Sequence, residues 1–251
     1  HLMGNYEKAE VLYLQSLQIK KTVLGEAHPS YAMTLNNLAE LYLAMGILEK
    51  AESLYTQTIN IRKNALDEEH PDYAMSLNNL AIFYGLIGNY EKAETICIQS
   101  LQIYKKILGE KHPSYAIALN NLAELYRRMG NYKKAEPLYL QSLQIIKNSF
   151  GEEHYDYTTA LSNLAFLYES IGNYKKAESM VIKSESLIFS QIEQQSDFLS
   201  ETEMAKYLKT VLDYFKFCQS FFLERKLNNP DITGASYDIE LDTKGILLYS
   251  G

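Results

Sequence analysis

The chain has 251 residues, of which 47% are apolar, and its formal net charge is -7. Its 24 basic residues form no cationic run, which argues against a nucleic-acid partner, because phosphate binding needs clustered lysine and arginine. No stretch reaches the roughly 20 apolar residues of a membrane span, and no charged-then-apolar leader opens the chain. Cys97 and Cys218 fall on predicted apolar helix faces, where we expect buried free thiols. We therefore expect a cytoplasmic protein without nucleic-acid or membrane partners.

A seven-residue motif recurs along most of the chain. It reads Gly-Asn-Tyr-Glu-Lys-Ala-Glu at residues 4–10, with lysine replacing the first glutamate in two later copies and a degenerate second copy. The copies are spaced by 42 residues, at 4–10, 46–52, 88–94, 130–136 and 172–178. Between them, Tyr-Ala-x-x-Leu-Asn-Asn-Leu-Ala begins at residues 31, 73 and 115, with a looser copy over 157–165. Such self-similarity is the signature of stacked units that bury their apolar faces only against their neighbours.

Each repeat predicts two helices. Asn89 is a good N-cap for the second helix of the pair, which we name B, and apolar residues then recur at helical spacing until Gly109. Pro113 suits the start of the first helix of the next pair, named A, because a first-turn N–H needs no helical partner. Helix A runs to Met129, and Gly130 makes a turn so short that A and B must pack antiparallel.

The repeat predicts a solenoid over residues 1–190. It starts with an orphan B helix at 5–24 and continues with A/B pairs at 31–65, 73–107, 115–149 and 157–190. Because the orphan helix has no A partner, we expect it to pack on the helix at 31–44. The apolar surface that it then leaves uncovered is a candidate for self-association.

The repeat ends before Ser200, and a different pattern follows. Ser200-x-x-Glu203 reads as a capping box that opens a long C-terminal helix, which we place at 197–227. Its broad apolar face is expected to cap the last B helix. Residues 228–251 are expected to be a linker truncated from a longer protein.

The repeats resemble tetratricopeptide repeats (TPRs) of the 42-residue variety found in kinesin light chains and in many bacterial, notably cyanobacterial, proteins. Positions in the repeat are numbered so that the turn glycine is position 15. The small residue of position 8 is then Ala39, Ala81, Ala123 and Ala165, and the tyrosine of position 11 is Tyr42, Tyr84, Tyr126 and Tyr168. The aromatic residue of position 24 is Tyr13, Tyr55 and Tyr139, but the third copy has Cys97, so atypical packing is expected there. The resemblance implies an all-α, right-handed superhelical solenoid of antiparallel helix pairs. The tail from Ser200 resembles the linker to CHAT protease domains.

No residue pattern predicts catalysis, a cofactor or a metal site. One histidine recurs per period, at positions 28, 70, 112 and 154. Stacked repeats lie about 10 Å apart, too far for two of these histidines to share one zinc ion. We therefore expect structural loop residues that precede a helix start.

The candidate binding face is the side of helix A opposite its inward positions 4, 7, 8 and 11. By the helical period, the residues on this opposite side are at positions 2, 6, 9 and 13. In chain order they hold Met33, Asn37, Glu40 and Ala44; Met75, Asn79, Ile82 and Leu86; Ile117, Asn121, Glu124 and Arg128; Thr159, Asn163, Phe166 and Ser170. The resemblance implies that this face lines a concave groove and that the position-6 asparagines bond the backbone of a bound peptide. The alternative is that these asparagines bond the neighbouring helix.

The sequence therefore predicts a non-catalytic scaffold that binds an extended peptide or protein segment. Spaced apolar side chains are expected in the ligand, with an acidic residue near Arg128. A clamp for a terminal carboxylate is not expected, because position 2 lacks lysine and arginine. Two alternatives are a regulatory segment of a larger effector such as a CHAT protease, and a self-assembly module.

Overall fold

The structure, a computed structural model, describes residues 2–196 together with residues 203, 218 and 221. The helices of this part are α1 (Leu2–Leu24), α2 (Pro29–Ala44), α3 (Leu48–Leu66), α4 (Pro71–Leu86), α5 (Tyr90–Leu108), α6 (Pro113–Arg128), α7 (Tyr132–Phe150), α8 (Tyr155–Ser170) and α9 (Tyr174–Ser196). The predicted all-α class is confirmed, with even-numbered A helices alternating with odd-numbered B helices. None of the described helices is long and apolar enough to cross a membrane.

The predicted C-terminal helix at 197–227 and linker at 228–251 lie outside the described residues, apart from Glu203, Cys218 and Phe221. These three residues are helical, and the last two are buried. Cys97 is buried as well, so the expected burial of both cysteines is confirmed. The resemblance to a CHAT linker rests on the same tail and stays a prediction.

Two compact units divide the chain, residues 1–145 and residues 146–251. In the first unit each helix packs on the next from α1 to α6, and the A helices α4 and α6 also touch. The contacts are close because the repeat places a small residue, alanine, where helices meet. The alanines with 1% or less of their surface exposed are Ala39, Ala51, Ala81, Ala93, Ala123 and Ala135. In the second unit α8 packs on α9.

Every A helix starts with a histidine cap. The Nδ1 atom of the capping residue accepts the backbone N–H two positions further on, at 3.1 to 3.2 Å, in His28, His70, His112 and His154. This bond satisfies one of the N–H groups that a helix start leaves without a partner. The structural role expected for the four histidines is therefore confirmed.

A glycine ends most of the B helices. The residues that directly follow α1, α5 and α7 are Gly25, Gly109 and Gly151, whose φ angles lie between 82° and 85°. Asp67 occupies this place after α3, with a φ of 93°. The next place in the series is residue 193, a glutamate, and α9 continues through it to Ser196. The predicted end at residue 190 was wrong, because no glycine stops this helix.

Helix α1 is more exposed than the other B helices. It begins at Leu2, so the first motif glycine, Gly4, lies inside a helix and not in a turn. It packs on α2, as expected. Ser16 is nevertheless half-exposed, whereas the equivalent residues of the other B helices are fully buried: Thr58, Ser100, Ser142 and Ser184. The predicted apolar surface is confirmed, because Leu12, Ile19 and Val23 on this helix are exposed.

Asp67 provides a test of the helix ends. Its φ of 93° and ψ of 150° belong to a region that glycine populates and that costs other residues about 1–3 kcal/mol. We expect Asp67→Gly to raise the free energy of unfolding by about 1 kcal/mol, part of the relief being offset by the larger chain entropy of glycine. Urea unfolding followed by circular dichroism measures this change.

The matched control is Gly109→Asp, which introduces the same strain after α5, where φ is 82°, and should lower stability. A neutral or destabilising Asp67→Gly would contradict the argument. It would mean that the bond from the Glu69 backbone N–H to the Asp67 carboxylate, at 3.3 Å, outweighs the strain.

Candidate functional site

The recurring motif connects consecutive repeats through a buried tyrosine. In the first unit the position-11 hydroxyl donates to the last glutamate of the preceding motif, at 2.6 to 2.7 Å, in the pairs Tyr42–Glu10, Tyr84–Glu52 and Tyr126–Glu94. Burial, and then the adjacent carboxylate, raise the pKa of each of these tyrosines to about 12. The motif lysines lie 4.6 to 4.9 Å from the same ring centres, at Lys50, Lys92 and Lys134. The motif therefore recurs because it makes the contact between repeats.

A second set of bonds fixes the rotation of each A helix. In each repeat of the first unit, a side-chain hydroxyl of the B helix donates to a backbone carbonyl of the A helix. Thr58 donates to Ala32 at 3.3 Å, and Ser100 and Ser142 donate to Ala74 and Ala116 at 2.7 Å. These donors are fully buried. The A helices thus turn the same face to their B partners, and positions 2, 6, 9 and 13 lie on the opposite face.

Exposed apolar side chains follow that opposite face in the first unit. The predicted site residues with 38% to 47% of their surface exposed are Met33, Met75, Ile82 and Ile117, and Leu86 is exposed to the same degree. They come from α2, α4 and α6. We name this surface, together with the position-6 asparagines and with Glu124 and Arg128, the A-helix face.

The asparagine row divides into two kinds. Asn79 donates from Nδ2 to Asn36 Oδ1 at 3.0 Å and to Glu40 Oε1 at 3.4 Å, and Asn36 Nδ2 also donates to Glu40, at 2.8 Å. The amide N–H groups of Asn79 therefore join α4 to α2, which is the structural alternative. The side chains of Asn37 and Asn121, both half-buried, form no hydrogen bond among the described residues.

Glu124 is the centre of a charged cluster on α6. Its Oε2 accepts from Arg127 Nε at 2.7 Å and from the Tyr139 hydroxyl at 2.8 Å, and its Oε1 accepts from Arg128 Nε at 2.8 Å. Burial opposes ionisation of this carboxyl, but the arginine and tyrosine bonds outweigh burial and lower its pKa. Arg128 is therefore paired with Glu124, and its side chain is 39% exposed.

A cavity of about 110 Å³ opens beside this cluster, between α4, α5 and α6. Its lining residues are Ala81, Ile82, Gly85, Leu86, Cys97, Asn121, Glu124, Leu125 and Arg128. Burial, and then Glu94, raise the pKa of the Cys97 thiol to about 12, so the thiol is protonated at neutral pH. The atypical packing expected at Cys97 takes the form of this cavity.

The remaining predicted site residues lie in the second unit. Asn163 and Phe166 are half-buried on α8. Sequence reasoning missed Asn36, Arg127 and Tyr139. Glu124 and Arg128 are four residues apart on a predicted helix, and this spacing indicates an ion pair between them. The described residues contain no group of three or more His, Cys, Asp or Glu side chains placed to hold a metal ion.

Comparison with known proteins identifies the repeats. The sequence matches the tetratricopeptide repeat family over residues 1–64, 72–145 and 116–187. The fold is similar to that of BtubC (BKLC) from P. vanneervenii, with 26% identity, a TM-score of 0.62 and 75% of each chain covered. It is also similar to a putative kinesin light chain from Podosopora anserina with nearly identical TPR-like repeats, at 26% identity and a TM-score of 0.57, covering 79% of this chain and 92% of that chain.

A more distant similarity concerns the fold alone. A Rap protein complexed with competence and sporulation factor has 17% identity and a TM-score of 0.64, and the match covers 97% of this chain and 71% of that chain. No curated protein matches the sequence. The predicted kinesin light chain-like TPR fold is confirmed by these matches.

The Glu124 cluster predicts a pH dependence of stability. Because the folded-state pKa of Glu124 lies below its ordinary value of 4.5, the carboxylate stabilises the fold above pH 4.5 and loses this effect as pH falls through the folded-state pKa. We expect Glu124→Gln to lower the free energy of unfolding by about 2 kcal/mol at pH 7, the size typical of hydrogen bonds to a charged group. The difference should shrink below pH 4.5 in urea unfolding curves. Glu91→Gln, at an exposed glutamate of α5, is the control, and a pH-independent difference would contradict the argument.

Proposed function

The chain belongs to the tetratricopeptide repeat family, and we propose that it is a non-catalytic scaffold that binds an extended peptide or protein segment along the A-helix face of its first unit. The observation that carries the proposal is the row of exposed apolar side chains on α2, α4 and α6. Beside this row lie the amides of Asn37 and Asn121, which have no hydrogen-bond partner in the described part of the chain. Large exposed apolar patches rimmed by polar groups are typical of binding surfaces.

The spacing of polar and apolar groups suits an extended chain. A peptide in this conformation presents backbone N–H and C=O groups at its edges and alternates its side chains between two sides. An asparagine amide both donates and accepts, so Asn37 and Asn121 can each pair with such a backbone. Met75 and Ile117 then offer apolar contact on the same face. Each amide bond contributes only about 0.5–1.5 kcal/mol net, so the affinity must come from several repeats together.

Charge adds a preference to this surface. The Arg128 side chain, at the end of α6, is 39% exposed. An acidic side chain of the ligand would therefore be attracted to the end of α6, and a basic one repelled.

A second role is favoured by the uncovered surface of α1. Leu12, Ile19 and Val23 lie within 20° of one line along the helix, by the helical period of about 100° per residue, and all three are exposed. An apolar stripe of this kind is typical of an interface between two helices. We propose that two copies of the chain associate through it.

The asparagine row gives the test of peptide binding. A library of random 12-residue peptides is screened against the protein, and the affinity of the selected peptides is measured by calorimetry. We expect Asn121→Ala to weaken binding about three- to tenfold without changing thermal unfolding, since no described residue bonds its amide. Asn79→Ala should instead lower the free energy of unfolding by about 1 kcal/mol, because Asn36 and Glu40 lose a donor. The double variant should lose about tenfold or more in affinity.

Asn64→Ala is the matched control for these variants, because Asn64 is exposed on the B helix α3. It should leave both affinity and stability unchanged. Unchanged affinity in Asn121→Ala, or selected peptides that map to the B helices, would contradict binding on the A-helix face.

Self-association is tested by analytical ultracentrifugation. The wild-type chain should show a mass that rises with concentration, and Leu12→Glu with Ile19→Glu should abolish the rise, because two charges at a helix interface are not compatible with desolvation. Met33→Glu, on the A-helix face, is the control and should retain it. A wild-type chain that sediments as a monomer at all concentrations, or a double variant that still associates, would exclude the α1 interface.

A further inference from the structure

One repeat of the first unit departs from the others at two facing positions. In the repeats at 31–65 and 115–149, position 24 is tyrosine and position 9 is glutamate. Tyr139 donates to Glu124 at 2.8 Å, and Glu40 lies close enough to Tyr55 to contribute, after burial, to raising its pKa. In the repeat at 73–107 the same two places hold Cys97 and Ile82. A polar pair that fills space has been replaced by two apolar residues, one of them small.

A third difference adjoins the same place. Gly85 on α4 stands where the neighbouring repeats have leucine at residue 43 and arginine at residue 127. A Cβ added to Gly85 would lie 3.3 Å from Leu125 Cδ1, so α4 and α6 come closer here than a larger residue allows. Leu125 therefore occupies the space beside Gly85, and the cavity of about 110 Å³ lies beside Cys97, where the neighbouring repeats have a tyrosine ring.

We propose that this cavity is a specificity pocket that holds one aliphatic side chain of the bound peptide, of leucine or methionine size, with an acidic residue of the peptide next to it. This inference rests on the peptide binding proposed above and assigns its chemical preference. The pocket opens on the A-helix face, because exposed Ile82, Leu86 and Arg128 are among its lining residues. Occupation of this pocket would fix which residue of the peptide lies against which repeat.

The size and walls of the cavity specify the aliphatic group. Its volume is below the roughly 150 Å³ of an apolar cavity that holds benzene, which favours a branched or linear aliphatic side chain over an aromatic one. Ile82, Leu86, Leu125 and Cys97 supply apolar walls, and the Cys97 thiol, protonated, adds no charge. Burying an aliphatic side chain there removes it from water, which is the main favourable term in such binding.

The polar rim specifies the neighbour of that group. Arg128 lines the cavity together with Glu124, and the exposed part of its guanidinium side chain can meet an acidic group. In an extended peptide, residues i and i+2 point to the same side. An acidic residue two positions from the aliphatic one therefore reaches the same face as Arg128, while Asn121 is placed to bond the backbone between them.

The test uses defined pools of extended 12-residue peptides with random flanks. One pool has a fixed Leu-x-Asp centre, a second Ala-x-Asp and a third Leu-x-Lys, each in both orders along the chain. Affinities are measured by fluorescence anisotropy for the wild type, for Cys97→Phe, which fills the cavity, and for Cys97→Ala, which leaves it open. Cys97→Tyr with Ile82→Glu is a second filled variant that reproduces the pair of the neighbouring repeats. Circular dichroism and thermal unfolding verify that each variant is folded.

We expect the wild type and Cys97→Ala to bind the Leu-x-Asp pool about tenfold or more tightly than the Ala-x-Asp pool. Both filled variants should lose this preference. The Leu-x-Lys pool should bind less tightly than Leu-x-Asp, and this difference should shrink at high salt.

Three results would overturn the pocket. If the wild type binds all pools equally while Asn121→Ala still weakens binding, the pocket is wrong and the binding face stands. If the filled variants keep the leucine preference, the aliphatic side chain binds elsewhere. If no pool binds at all, the proposed peptide-binding function fails, and the pocket with it.

Discussion

The structure of the first unit depends on one polar contact in an apolar setting, the bond between a position-11 tyrosine and the glutamate that ends the preceding motif. A buried hydroxyl or carboxylate without a partner destabilises a fold by more than its bond stabilises it. The pair Tyr84–Glu52 is therefore satisfied only when the two repeats meet at one rotation and one separation. Apolar contacts tolerate sliding, whereas this bond does not. It converts a stack of similar helix pairs into a stack with a defined register.

That register explains how much of the fold was readable from the sequence. The helix pairs and their order follow from the 42-residue period, because each unit buries its apolar stripe against its neighbours. The local ends were less readable. Histidine is not among the usual N-cap residues, so its bond in His70 was visible only in three dimensions, although a structural role was expected. The continuation of α9 to Ser196 follows from a missing glycine, a signal that was present in the sequence at residue 193.

The candidate face was predictable in outline but not in its pairings. Helical period placed Met75 and Ile117 on the side away from the core, and both are exposed. The period does not say whether a polar side chain on that side turns to solvent or to the next helix. Asn79 and Asn121 occupy equivalent places, yet Asn79 is bonded to α2. The reason is Glu40, which accepts from Asn79 in one interface and is replaced by Ile82 in the next.

The same replacement adjoins the cavity beside Cys97. A cavity removes dispersion contacts from the side chains around it and weakens the fold, and the tyrosine that would fill this one is present at residues 55 and 139. At residue 97 the same position holds the smaller cysteine. The three departures, Ile82, Gly85 and Cys97, line the same cavity, together with exposed Leu86. The repeat at 157–190 also lacks the tyrosine and glutamate pair, but it holds Phe166 and the fully buried Val181 at these two positions. In the repeat at 73–107 the space beside Cys97 stays open, and the proposed ligand side chain would fill it.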